Sequence, residues 1–103
     1  MKIKYTPAAI ADLQEIKDYI SKVLHNPKAA GRIVKSIMDH CGNLKELPKL
    51  GMYLSAKTGQ EADLRYLICD QYLAIYRVEE NMILIARILD GRTDYMRVLF
   101  KGE

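Results

Sequence analysis

The sequence predicts an α+β fold: an N-terminal strand, an antiparallel helical hairpin, then an antiparallel β-meander. Three observations predict it. Thr6-Pro7 and Asn26-Pro27 each precede an apolar stripe at steps of three and four. Pro48 closes the second stripe, and a Gly- and polar-rich stretch follows it. The last third holds Leu-, Ile-, Tyr- and Val-rich runs separated by short polar breaks. Helices first and strands after argue α+β, with the hairpin laid on one face of the sheet.

Met1 to Tyr5 alternates, which suits a strand with Ile3 and Tyr5 on one face. Thr6 can accept a bond from a free backbone N–H, and Pro7 lacks a donor that the first turn would leave unsatisfied anyway. The first helical stripe is Ala9, Leu13, Ile16, Ile20 and Val23, with Asp12, Glu15, Lys17 and Asp18 on the other side. A second helix is predicted from Pro27 to Leu47, with the stripe Ala30, Ile33, Val34, Ile37, Met38, Cys41, Leu44 and Leu47. Gly42 weakens that helix by roughly 1 kcal/mol, but the stripe continues past it. Only a few residues join the helices, so they should pack antiparallel.

Lys49 to Asp63 gathers Gly51, Ser55, Thr58, Gly59 and Gln60 and reads as a loop. Strands are predicted over Leu64 to Cys69, Tyr72 to Val78 and Met82 to Leu89. The breaks at Asp70-Gln71 and Glu79-Glu80-Asn81 predict hairpins. Asp90-Gly91 is a turn signal. Thr93 to Phe100 suits a short helix or a further strand.

The chain has 103 residues, which fits one domain over 1–103. Size scaling gives about 65% of the unfolded surface buried, enough for a core without staples. No apolar run approaches the roughly 20 residues of a membrane span. Met1 to Tyr5 has no long apolar stretch and no small-residue cleavage site, so no signal peptide is expected. The net charge of +3 permits nucleic-acid contact without demanding it. Cys41 and Cys69 form no CxxC pair, and His25 and His40 lack metal-ligand spacing. No metal site, cofactor or disulfide scaffold is expected, and the setting should be reducing and cytoplasmic.

No nucleophile elbow, phosphate loop, HExxH or GxGxxG motif is present. The arginines carry more information. Arg65, Arg77, Arg87, Arg92 and Arg97 all fall in the predicted sheet or its tail. Arginines on adjacent strands can converge and bind phosphates or carboxylates through bidentate bonds. Strict alternation places Arg87 with Ile83, Ile85 and Leu89, and Arg77 with Leu73 and Ile75. Rim salt bridges are the competing role for these arginines. Tyr66, Tyr72 and Tyr76 are expected to pack in the core or at its rim, whereas Tyr95 lies beside Arg92, Asp94 and Arg97.

The chain resembles the RelE/ParE superfamily, the toxin halves of bacterial type II toxin–antitoxin pairs. The residues that carry the resemblance are Tyr5-Thr6-Pro7-Ala8-Ala9 with Asp12-Leu13, Ile16 and Tyr19-Ile20, then Leu47-Pro48 and Gly51. Stronger still are Tyr72-Leu73-Ala74-Ile75-Tyr76-Arg77-Val78 and the run from Ile85 through Asp94. The resemblance implies the fold derived above, and it implies one of two activities. RelE-like toxins cut mRNA on the ribosome without metal, using basic side chains. That reading would make Arg65, Arg92 and Tyr95 catalytic, although Leu64-Arg65-Tyr66-Leu67 offers one basic residue where the family commonly has two, and Leu73 replaces a further arginine. ParE-like toxins inhibit DNA gyrase and are not enzymes. Tyr76-Arg77-Val78 and Gly91-Arg92-Thr93-Asp94 lean this way, with Arg77, Arg87 and Arg97 as binding residues. Either kind implies a cognate antitoxin, whose otherwise disordered segment would mask the Arg87–Arg97 region. A non-toxic antitoxin-binding module is a further alternative. Apolar area on the hairpin would serve a homodimer or a heterotetramer with the antitoxin equally well.

Overall fold

The computed structural model describes residues 1–54 and 63–92. The expected Thr93 to Phe100 element, with Tyr95 and Arg97, lies outside the described residues, as does the middle of the Lys49 to Asp63 stretch. The elements follow as β1 (Lys2–Tyr5), α1 (Pro7–Asp18), a π-helical turn (Tyr19–Val23), α2 (Pro27–Gly42) and a 3-10 turn (Asn43–Lys45). Four strands come after: β2 (Met52–Tyr53), β3 (Arg65–Cys69), β4 (Tyr72–Glu79) and β5 (Met82–Asp90). They form one five-stranded sheet in the order β1-β5-β4-β3-β2. The pairs β5·β4, β4·β3 and β3·β2 are antiparallel, and β1 joins β5 in parallel.

Both helices start as their caps dictate. The Thr6 hydroxyl accepts from the Ala9 N–H at 3.0 Å, and the Asn26 side chain accepts from the Ala29 N–H at 3.1 Å. Pro7 and Pro27 occupy the first turns. Between the helices, His25 adopts a positive φ of 54° and turns the chain. α1 does not simply continue to Val23. It widens into the π turn, which shifts the phase of the stripe, so Ile20 is buried while Val23 is exposed. α2 ends five residues before the expected Leu47. At Gly42, which has low helix propensity, the chain tightens into the 3-10 turn; Leu44 is buried there and Leu47 is exposed. Met38 is also exposed, because the neighbouring Ile37 fills the core position.

The sheet buries both faces. Beneath the helices, Ala9, Leu13, Ile37, Cys41 and Leu44 pack with Leu67, Cys69, Tyr72, Ala74, Tyr76, Ile83, Ile85 and Ile88, and Ile3 and Tyr5 of β1 join them. On the far face Leu73, Ile75 and Leu89 pack with Leu54, Leu64 and Tyr66. Hence β4 is buried on both sides from Tyr72 to Tyr76 and reads as a near-continuous apolar run. Within the expected loop the two-residue β2 adds an edge strand, too short to show alternation. Side chains hold it in place. The Gly51 N–H donates to the Tyr76 hydroxyl at 2.8 Å, that hydroxyl donates to the Pro48 carbonyl at 2.9 Å, and Arg65 Nη1 donates to the Gly51 carbonyl at 2.8 Å. A Cβ on Gly51 would sit 2.5 Å from the Tyr66 carbonyl oxygen and 2.7 Å from the Tyr76 ring, so only glycine fits.

The meander hairpins turn at Asp70-Gln71 and Glu80-Asn81, and Asp70 supplies a positive φ of 61°. Strict alternation fails on β5. Ile75 pairs with Arg87 but Tyr76 pairs with Ile85, so Ala86 is an extra residue in a bulge. The bulge puts Ile83, Ile85 and Ile88 together in the core under the helices and Leu89 in the far-face cluster. Arg87 therefore does not share a face with Ile83 and Ile85 as alternation predicts.

The bulge coincides with the end of β1. Pairing of β1 stops at Tyr5↔Ile85, which leaves the second half of β5 without a strand on that side among the described residues. The start of α1 satisfies that edge instead. The Thr6 hydroxyl donates to the Ala86 carbonyl at 2.8 Å, and the Asp12 carboxylate accepts from the Ile88 N–H at 2.9 Å. Asp12, expected on a solvated face, is 9% exposed. Arg87 meets it in a bidentate pair, Nε to Oδ2 at 2.7 Å and Nη2 to Oδ1 at 2.9 Å. Replacing Asp12 by Ala leaves a partly buried guanidinium and a backbone donor without their acceptor. Breaking such a pair costs about 3–5 kcal/mol. Urea unfolding of Asp12→Ala should show a loss of about 3 kcal/mol, and a change under about 1 kcal/mol would contradict this role.

Candidate binding groove

A concavity lies between the helices and the end of the sheet. It measures about 810 Å³. Asp12, Glu15, Ile16, Tyr19 and Ile20 of α1 and the π turn form one wall, continued by Leu24, Asn26, Ala29 and Ile33. The opposite wall is the β3–β4 turn, Asp70, Gln71 and Tyr72, with Arg87, Ile88, Leu89, Asp90 and Arg92 at the end of β5. The π turn shapes the mouth: Tyr19 and Leu24 stand exposed there, and such irregular turns are frequent at functional sites. The Ser36 hydroxyl donates to Asp70 Oδ2 at 3.1 Å and ties α2 to the opposite wall.

The predicted arginines do not converge. Arg87 and Arg92 line the groove. Arg87 is engaged by Asp12, whose hydrogen bonds raise the guanidinium pKa against the cost of burial. Arg92 extends from the Asp90-Gly91 turn and grips Asp90 with Nε to Oδ1 at 3.0 Å and Nη2 to Oδ2 at 2.7 Å, its side chain 75% exposed. Arg65 lies away from the groove, at the β2 edge, bonded to Gly51 and stacked 4.0 Å from the Tyr53 ring centroid. Arg77 pairs with Glu79 at 3.1 Å on the exposed end of β4. Tyr95 and Arg97 lie outside the described residues. Tyr72 and Tyr76 are buried and Tyr66 packs at the rim of the far-face cluster, as expected.

The charge of the groove follows from its lining: two arginines face four carboxylates, Asp12, Glu15, Asp70 and Asp90. Such a surface does not concentrate phosphate. It offers apolar walls with polar groups at the rim, the form of a site for a protein segment. Sequence reasoning missed Asp12 and the acidic lining. One signal for Asp12 was present: it is spaced three residues from Ala9 and four from Ile16, inside the apolar stripe. No group of metal-ligating side chains occurs among the described residues.

The Asp90–Arg92 pair has a pH signature. Hydrogen bonds from Arg92 hold the Asp90 carboxyl below the usual carboxylate range, against a smaller opposing effect of burial. A lowered folded-state pKa stabilises the fold at neutral pH, and that contribution fades as pH falls through the lowered value. An NMR titration should place Asp90 below the ordinary midpoint of about 3.9, and Arg92→Gln should raise it toward that midpoint. An unchanged midpoint in the variant would show that the pair does not hold in solution.

A family model described as the ParE toxin of the type II toxin-antitoxin system, parDE, matches residues 3–95. No curated protein matches the chain. Among solved structures, the chain is similar to one described as the chromosomal ParDE TA system from P. aeruginosa. The TM-score is 0.74 at 28% identity, over 87% of this chain and 95% of that one. No helix among the described residues is long and apolar enough to cross a membrane. The fold is similar to that structure, and the family model covers residues 3–95, most of the chain, so the chain belongs to the ParE toxin family.

Proposed function

We propose that this toxin arrests growth by inhibiting DNA gyrase, and that its antitoxin covers the groove between the helical hairpin and the end of β5. The family match over residues 3–95 carries the reading. The groove supports it. Apolar walls from Tyr19, Ile20, Leu24 and Leu89 suit a folding-on-binding segment, and the exposed Arg92 guanidinium offers an acidic side chain a contact at the rim. The placement of the basic residues weighs against ribonuclease chemistry. Arg65 and Arg92, the arginines a RelE-like mechanism would combine, lie on different parts of the surface, and Arg65 is committed to fastening the Gly51 turn. In this reading the toxin acts in the cytoplasm, Arg77, Arg87 and Arg97 contribute to binding, and no cofactor takes part.

Brief induction without antitoxin, followed by primer extension on reporter mRNAs, tests this. Growth arrest with intact mRNA is expected. New 5′ ends within codons, abolished when translation is blocked, would establish the ribosome-dependent nuclease instead, and unimpaired growth would indicate a module that only binds antitoxin. In the same strain, combined charge reversal at Arg92 and Arg97 should weaken antitoxin binding by about tenfold. Unchanged affinity would remove those arginines from the interface.

A further inference from the structure

The groove is an acidic site on a basic chain. The chain carries a net charge of +3, yet the groove lining holds four carboxylates against two arginines and no lysine. Two of those carboxylates are answered from within: Asp12 receives Arg87, and Asp90 receives Arg92. The other two are not. Glu15 on α1 and Asp70 at the β3–β4 turn form no salt bridge among the described residues. The hydrogen bond to Asp70 Oδ2 comes from a neutral donor, the Ser36 hydroxyl. Both side chains are exposed. Tyr19 and Leu24 share the groove with them, each 55% exposed.

We propose that the groove takes a cationic amphipathic protein segment, with apolar side chains against Tyr19 and Leu24 and lysine or arginine toward Glu15 and Asp70. That this segment belongs to the antitoxin rests on the reading above; the groove's preference for a cation does not.

The preference follows from desolvation. A segment that covers the apolar mouth takes water away from both unpaired carboxylates. An apolar segment returns nothing for that loss, and an acidic one adds repulsion. Lysine and arginine meet both demands of the surface. Their aliphatic stems lie along Tyr19 and Leu24 while the charged heads reach the carboxylates, and the face of the Tyr19 ring also attracts a cation. The volume of about 810 Å³ lies within the range of roughly 300–1,000 Å³ for ligand sites, so the groove takes a few side chains of one segment and not a folded domain. The net positive charge of the whole chain disfavours cations elsewhere, which confines the attraction to this groove.

The test titrates the full chain with two short synthetic peptides. One has leucines at helical spacing flanked by lysines; its twin has glutamate in place of each lysine. Calorimetry should show the lysine peptide binding at least about tenfold more tightly than its twin, with affinity falling as salt is added. NMR shifts should gather at Ile16, Ile20, Ala29 and Ile33. Glu15→Gln combined with Asp70→Asn should weaken the lysine peptide about tenfold, whereas Asp39→Asn, on the opposite side of α2 from Ala29 and outside the groove, should leave it unchanged. Should the double variant fail to fold, Glu15→Gln alone, at an exposed position of α1, should still weaken binding. Equal binding of the twins, no binding of either, shifts outside the groove, or an equal effect of Asp39→Asn would each overturn the proposal. Competition separates it from the reading on which it builds. A lysine peptide that binds as expected and displaces antitoxin supports both; one that binds as expected without displacing antitoxin upholds the cation preference and removes antitoxin from the groove.

Discussion

The Asp12 carboxylate joins the helical layer to the sheet. β1 stops pairing with β5 at Ile85, and a bulge at Ala86 turns the remaining strand. Without help, that half of β5 would present unpaired backbone groups beneath a helix, at a cost of about 1–3 kcal/mol each. Thr6 accounts for the Ala86 carbonyl and Asp12 for the Ile88 N–H, and the same carboxylate receives the Arg87 guanidinium in two bonds. A carboxylate so deep in the structure is tolerable because all three donors converge on it. Its geometry also sets how α1 lies over β5.

The groove depends on that placement. The Asp12–Arg87 pair joins its two walls, α1 with the π turn and the start of α2 on one side, and the end of β5 with the β3–β4 turn on the other. Because Arg87 is spent on Asp12 and Arg92 leans on Asp90, the charges are locally matched, and the carboxylates outnumber the arginines. This is chemistry for a protein partner with apolar anchors rather than for a nucleic-acid backbone. The opposite edge of the sheet is built differently. There Tyr76, Gly51 and Arg65 form a hydrogen-bonded fastening in which the arginine is structural.

Much of the fold was legible because its signals are local. Thr6-Pro7 and Asn26-Pro27 mark helix starts through caps that need only a few residues, and the two-residue turn at Asp70-Gln71 marks a hairpin. What the sequence concealed depends on contacts distant in the chain. The parallel pairing of β1 with β5 leaves no periodic trace. The π turn and the Gly42 break shift the helical phase without interrupting the apolar stripe in the sequence, so Val23 and Leu47 fall outside the core. The bulge at Ala86 reverses the face of Arg87, and no alternation rule can anticipate an inserted residue. Asp12 was misread as solvated because its partners, Arg87 and Ile88, lie more than 70 positions away in sequence. The candidate site suffered most, since the arginines grouped along the chain were separated by the sheet register.

The proposed action on DNA gyrase, by binding, can be measured directly. The direct measurement is ATP-dependent supercoiling of relaxed plasmid by purified DNA gyrase, with the full-length toxin titrated in. Gyrase inhibition predicts that supercoiled product is lost as toxin is added. Undiminished supercoiling, with toxin from the same preparation shown to arrest growing cells, would contradict it.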